Sequence, residues 1–348
     1  MTRIAWTVCI AALLGATACR AEDRYDIKVY PCPRAQGVVT IDGILDEPAW
    51  QEAPVVSGFV NYSDQKLAEV QTHVRAIYDD NFLYFGVVCD EPNMKKLAPV
   101  LQTRDSHDVF GAEAIEFFVD PRHDHANYFQ FAVDAAGSLY DSRGTEPFWN
   151  SSAVAKTKLG EDRWTLEFAI PWKDLGVEPK SGAIVGFNVC RDRHLGEGKQ
   201  WTNWSQTSGG FHKPEFFAHL VLSPKEEDLA RIGDQLRKGD RRGAIVIYGK
   251  EGVSQSSYLA LSKRAVEKLE ARLDEMAKGE KDPATKPAVD ACVAGFREKL
   301  APFRAKTQGG APLDASEWVK VELGIDRLSL ELEDGVWSAR LSALLSTL

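Results

Sequence analysis

The chain has 348 residues, 44% hydrophobic and 27% charged, with a formal net charge of −9. The length allows one to three domains, and the composition is that of an ordinary globular protein. An acidic balance without a basic stripe argues against a nucleic-acid partner and, more weakly, against acidic polysaccharides unless a local patch overrides it.

The first segment has targeting features. Arg3 precedes an apolar run, Ile4 to Leu14, that is too short to span a bilayer, and Ala16-Thr17-Ala18 has the form of a cleavage site. Residues 1–21 therefore read as a signal peptide, and the protein as exported: periplasmic, secreted or held at the outer membrane. Cys19 directly follows the cleavage pattern, so a lipid anchor at Cys19 stands beside plain cleavage. Cys32, Cys89, Cys190 and Cys292 show no metal-site spacing. Cys89 and Cys190 each end a predicted strand. An exported chain permits a disulfide between them, and two small buried thiols are the alternative.

From Val38 to Leu222 the apolar period is two and turn signals recur at short intervals, the pattern of an antiparallel sandwich. Thr72 to Tyr78 and Phe82 to Val88 flank Asp79-Asp80-Asn81, a tight hairpin turn. In Ala114 to Asp120 one face holds Ile115, Phe117 and Val119, and the other holds Glu116. In Tyr128 to Asp134 one face holds Phe129, Phe131 and Val133, and the other holds Gln130, Ala132 and Asp134. Trp164 to Ile170, Ala183 to Asp192 and Phe216 to Leu222 complete the block. If the two middle strands are neighbours, Glu116, Gln130 and Asp134 share a surface.

From Ser223 onward the period lengthens to 3.6. Ser223-Pro224-Lys225-Glu226 is a capping box that starts a helix with Leu229, Ile232 and Leu236 on one stripe. Further helices are expected over about 255–278, with Val266, Leu269, Leu273 and Met276, and over about 283–305, with Val289, Val293, Phe296 and Leu300. One or two more follow Asp314, carrying Trp318, Leu328, Trp337 and Leu341. Ala244 to Tyr248 is strand-like and has no evident place. The fold class is thus mainly β plus α: a jelly-roll-like sandwich over 22–222 and an α-helical hairpin or bundle over 223–348. The helical part carries no chemical motif and reads as a spacer or assembly region with an unidentified protein partner.

A set of landmarks in order carries a resemblance. They are Ile41-Asp42-Gly43 with Leu45-Asp46-Glu47 and Trp50, Tyr78 to Tyr84, Glu113 to Asp120, Trp164 to Trp172 with Leu175-Gly176, Gly186 to Val189 with Arg191-Asp192, Trp204-Ser205, and Phe216-Phe217. Over about 180 residues the chain resembles the family 9 carbohydrate-binding modules, with Glu113 where the first Asp of the strand motif is usual. The resemblance implies a jelly-roll-like β-sandwich in which two aromatic rings clamp a terminal sugar and polar side chains read its hydroxyls. Pyranose C–H faces suit aromatic planes, and charged acceptors make stronger hydrogen bonds than neutral ones. On this pattern Phe110 falls at the first clamp position and Trp204 at the second. Glu116 matches the acidic reader, Gln130 an amide position and Asp134 a position usually held by Asn. Ala132 stands where sugar-binding members have Arg, which removes a fork of donors. Trp201 and Trp204 point alike only if their segment is not extended, and one of them is expected in the core. Trp50, Trp164 and Trp172 are expected in the core, whereas Trp149, in Pro147-Phe148-Trp149-Asn150, reads as a plain loop residue or as a platform.

The resemblance also implies structural Ca²⁺. Asp79, Asp80, Asp90, Asp105, Asp108 and Asp120 are oxygen ligands in loops, and each also reads as a turn former. The function expected is that of an exported, non-catalytic carbohydrate-binding protein in polysaccharide catabolism, with an oligosaccharide or polysaccharide as partner. The alternative is a scaffold whose sandwich has lost sugar affinity. Glycoside hydrolysis is a weaker reading, because Glu113 and Glu116 point to opposite faces and Glu116 and Asp120 stand roughly 13 Å apart along a strand. His107, His123 and His125 read as a solvated loop. No haem is expected, since Met94 is the only Met in the block and lies in a loop.

Overall fold

The computed structural model describes residues 27–207, 210–225, 245–249, 252–253, 256–311, 313 and 315–346. The leader expected over 1–21, with Cys19, lies outside them, as does the helix expected to carry Leu229, Ile232 and Leu236.

In chain order the strands are β1 (Ile27–Cys32), β2 (Val60–Asn61), β3 (Thr72–Tyr78), β4 (Phe82–Asp90), β5 (Ala114–Asp120), β6 (Phe129–Asp134), β7 (Leu139–Arg143) and β8 (Val154–Leu159). They continue with β9 (Arg163–Pro171), β10 (Ile184–Arg193), β11 (Gln200–Asn203), β12 (Ala218–Leu222), β13 (Ile245–Gly249), β14 (Gly252–Val253) and β15 (Ser256–Ser257). Two short helices, α1 (Pro48–Glu52) and α2 (Trp172–Leu175), sit among them. Three long ones close the chain: α3 (Tyr258–Gly279), α4 (Lys286–Gln308) and α5 (Ala315–Leu345).

The expected sandwich is present. The smaller sheet has the order β3-β4-β9-β8, and the larger has β15-β14-β13-β1-β12-β10-β5-β6-β7. β11 lies beside the second half of β10, and β2 beside β11. The alternation read from the sequence explains the packing. Ile115, Phe117 and Val119 of β5 and Phe129, Phe131 and Val133 of β6 face Val74, Phe85, Leu166 and Phe168 of the smaller sheet in one core. Trp50, Trp164 and Trp172 are buried as expected. Asp79 shapes the β3–β4 hairpin, its Oδ1 accepting from the N–H groups of Asn81 and Phe82 at 2.7 and 2.8 Å.

The sheet departs from a purely antiparallel one at β1, which runs parallel to both β12 and β13. The strand-like stretch near residue 245 is β13, so sandwich strands continue past residue 222. Tyr248 of β13 packs into the inter-sheet core. Cys32, Cys89, Cys190 and Cys292 are free thiols. Cys89 lies between the sheets and Cys190 on the other side of the larger sheet, beside Phe118 and Phe217, so the two cannot pair.

Two buried polar devices hold the sandwich. Glu167 of β9 pins the opening segment: its Oε2 accepts from the N–H groups of Asp42 and Gly43, and its Oε1 from Trp50 Nε1, all at 2.9 Å. At the end of β4, Glu91 receives a two-point contact from Arg193, Nε to Oε2 at 2.6 Å and Nη2 to Oε1 at 2.9 Å. Arg191 Nη2 lies 3.3 Å from Glu91 and 3.5 Å from Glu113. All four side chains are buried, and the network ties the two sheets together.

The described helices α3, α4 and α5 pack as a bundle. Val266, Leu269 and Leu273 of α3, Val289, Val293, Phe296 and Leu300 of α4, and Ile325, Leu328, Leu332 and Val336 of α5 form its core. Trp337 and Leu341 were expected on that stripe, but they are 64% and 40% exposed, because the inward stripe of α5 ends at Val336. None of the described helices is long and apolar enough to cross a membrane. Trp318 of α5 touches the sandwich at Gly58, where an added Cβ would lie 3.1 Å from its ring.

Candidate carbohydrate-binding face

Side chains directly opposite one another in paired strands point to the same side, so register fixes what the outer face of the larger sheet carries. One row runs Tyr140, Ala132, Glu116, Cys190, Asn203 across β7, β6, β5, β10 and β11. The next row runs Asp134, Ala114, Asp192, Trp201. On the other side of the first lie Ser142, Gln130, Phe118 and Asn188.

Phe110 reaches this face from a 3₁₀ turn, His107–Gly111, started by Ser106, whose hydroxyl accepts from the Asp108 N–H. Its ring meets Tyr140 edge-on at 5.0 Å, and His107 stands 5.3 Å from the same Tyr140 ring. Val109, Ala114 and Ala132 complete that cluster, and Ala132 is wholly covered. This explains the alanine physically: the space an arginine would use is filled by Phe110 and Tyr140.

Four of the five expected residues, Phe110, Glu116, Gln130 and Asp134, come to one face, but they do not do equal work. Glu116 Oε2 accepts from Gln130 Nε2 at 2.6 Å, and Gln130 Oε1 accepts from Ser142 Oγ at 3.4 Å. Asp134 is committed to the β6–β7 turn, with Oδ1 accepting from the N–H groups of Ala136 and Ser138 at 2.9 Å each. At 1% exposure it braces the hairpin rather than facing solvent.

Trp204 is the correction. It follows β11 and its backbone N–H bonds to the Val189 carbonyl at 3.0 Å. Its ring lies in the inter-sheet core against Phe187 at 5.2 Å and Tyr248 at 5.1 Å, with no exposure. No sugar can reach it there. Trp201, three residues earlier, points the other way, as strand alternation requires. It is 44% exposed, opposite Asp192 on the outer face.

Asp192 reads in the sequence as a landmark of the strand motif and not as a site residue. It hydrogen-bonds Glu116, and burial pushes both carboxyls up, with the charge of Glu116 raising Asp192 further. A hydrogen bond between two carboxyl groups needs a proton on one of them, so the pair holds one proton between its two carboxyls. The floor is therefore a connected polar chain, Ser142–Gln130–Glu116–Asp192, with Phe110 and Tyr140 at one side and Trp201 at the other. The phase of β11 relative to Asp192 was the signal that could have found Trp201.

The six aspartates considered for calcium do not converge. Asp79 serves its hairpin, Asp80 pairs with Arg34, Asp90 with His73, and Asp120 accepts from the N–H groups of Asp124 and His125. Asp105 bonds the Asp141 N–H, and Asp108 belongs to the Ser106 turn. Beside Asp105, the Arg104 guanidinium pairs with buried Asp141 and donates to the Ser151 carbonyl at 2.9 Å. Among the described residues no three His, Cys, Asp or Glu side chains are grouped as metal ligands. These residues do not fit a calcium site. Met94 packs into the sandwich core.

Residues 41–225 match the family model described as carbohydrate family 9 binding domain-like. Endo-1,4-beta-xylanase A of Thermotoga maritima is 24% identical over 208 residues, which are 53% of this chain and 18% of that protein. The chain thus spans less than a fifth of that relative's length. Among solved structures, a carbohydrate binding module family 9 from Caldicellulosiruptor kristjanssonii in complex with cellotriose is 18% identical, with a TM-score of 0.43, over 57% of this chain and 96% of that one. The same module in complex with glucose gives 18% identity and a TM-score of 0.42 over 57% and 97%.

Proposed function

The chain belongs to the carbohydrate family 9 binding domain-like family, and from that membership we propose that the outer face of its larger sheet holds the end of a neutral glycan. The observation that carries this reading is Trp201, a large ring left 44% exposed on the same face as Glu116, Gln130 and Asp192. β6 and β11 are three strand spacings apart, roughly 14 Å. On that spacing a sugar ring would lie between the Phe110–Tyr140 side and Trp201. Stacking on the rings supplies affinity, and Glu116 with Gln130 supplies hydroxyl recognition. The protein acts as an exported, non-catalytic binder in polysaccharide catabolism, with the helical bundle as spacer or partner-docking arm. The leader with Cys19 decides between release and a lipid anchor.

Calorimetric titration of the full chain with glucose, cellotriose and a polysaccharide panel tests it. We expect saturable binding that W201A and E116Q each weaken at least tenfold. No binding to any glycan by folded protein would overturn it, and cleavage of a bound glycoside would overturn the non-catalytic part.

A second reading has its own support. Glu116 and Gln130 are each 5% exposed and already bonded to one another, and Ala132 offers no donor. A sandwich with such a self-satisfied floor also suits a scaffold without sugar affinity, and the same titration separates the two.

A further inference from the structure

One pair further along β6 and β7 from Gln130 and Ser142 comes Phe129 opposite Arg143, and there the surface opens into a separate cavity of about 310 Å³. Trp149, Arg122, Arg143 and Asn127 line it, beside Tyr128 and Phe129. Trp149 is half-buried in the β7–β8 loop. Its ring is backed by Phe129 at 4.6 Å and meets Phe131 edge-on at 6.0 Å. That backing fixes the ring as a rigid platform on the cavity wall.

The polar groups are unequally engaged. Asp124 spends its carboxylate on the Ala126 and Asn127 N–H groups and the Asn127 amide, at 2.7 to 2.9 Å. Asp174 Oδ2 accepts from the Ser152 N–H and hydroxyl at 2.6 and 2.7 Å. Arg122 and Arg143 are exposed; the charge of Arg122 helps hold the Asp124 carboxyl below its ordinary value. The cavity therefore presents two guanidinium forks beside an aromatic plane, while its carboxylates accept from the nearby N–H, amide and hydroxyl groups of Ala126, Asn127 and Ser152.

We infer that this cavity is a second saccharide site, selective for a pyranose that carries a carboxylate, a uronic acid. The sugar's C–H face lies on Trp149. Its carboxylate meets the planar donor forks of Arg122 and Arg143, a geometry that suits carboxylates better than hydroxyls. The cavity is large enough for a one-ring ligand. The chain's net negative charge is screened within about 8 Å at physiological salt, so the local guanidiniums set the preference. The inference shares with the reading above only the expectation of a saccharide ligand, because no residue is common to the two sites.

Titration of the full chain with a short oligogalacturonate, its methyl ester and cellotriose tests it. We expect the oligogalacturonate to bind, R143Q and R122Q each to weaken it about tenfold or more, and the methyl ester to bind at least tenfold more weakly. E116Q should leave oligogalacturonate binding in place, and R143Q should leave cellotriose binding in place, so failure of one site is distinct from failure of the other. Equal binding of acid and ester, no loss in R143Q, or no oligogalacturonate binding by the folded chain would overturn the proposal.

Discussion

Trp201 and Trp204 show how much depends on a single phase along a strand. W201A should leave stability within about 0.5 kcal/mol of the parent, as for an exposed position, while sugar affinity falls. W204A removes a ring wholly enclosed between the sheets and should cost about 3–5 kcal/mol. Chemical denaturation measures both, and equal losses would contradict the assignment of faces. The Glu116–Asp192 pair makes a prediction about pH. The unfolded chain releases carboxyl protons near the ordinary value of about 4, whereas the folded chain keeps one on the buried pair to higher pH. The folded state binds more protons in that window, so stability falls as pH rises through it. D192N should flatten this decline in thermal melts between about pH 5 and 9, and an unchanged slope would remove the pair from the account. Glu167, pushed up to about 7 by burial against the pull of its three donors, contributes in the same direction and stays in the variant.

At the scale of elements, the opening segment is held by one carboxylate. E167Q puts an amide N–H₂ among three donors, so one donor loses its acceptor, which should cost about 1–3 kcal/mol in denaturant midpoint. Gly43 beside it has φ +91°, and an added Cβ would stand 2.8 Å from the Thr157 carbonyl carbon, so G43A should add a loss of its own. In the network between the sheets, R191M leaves Glu113 buried without its ion pair and should cost about 3–5 kcal/mol; a loss below 1 kcal/mol would mean that the backbone donors at His194 and Leu195 suffice for Glu113. These elements also show what sequence makes legible. Alternation in β5, β6 and β9 identifies the core face, because burial on one side of a strand imposes a period of two. The clamp position was misread because the turn before β11, with Gly196 and Gly198, leaves the phase of that short strand open. Asp134 looked like a reader because an aspartate that braces a hairpin and one that faces a ligand are the same letter. Asp192 reads only as a landmark because its importance comes from Glu116 across a strand pair, a contact distant in sequence.

For the whole molecule, the sandwich and the helical region are not separated at residue 222. β13 adds to the larger sheet, and Tyr248 closes over Trp204. A fragment of residues 27–225 should melt lower and aggregate more readily than one of residues 27–257, because β1 becomes an exposed edge; equal melting of the two would make β13 dispensable. The same connection has a temporal side. β1, first among the described strands, takes its neighbours from β12 and β13, near the far end of the sheet-forming chain. During synthesis it waits unpaired until almost the entire sandwich has emerged, and in refolding it depends on closing a very long loop. In pulse-labelled refolding, the amides of β1 should gain protection after those of the β3–β4 hairpin. The arrangement makes completion of this domain a matter of order in time, with the earliest strand secured by one of the latest.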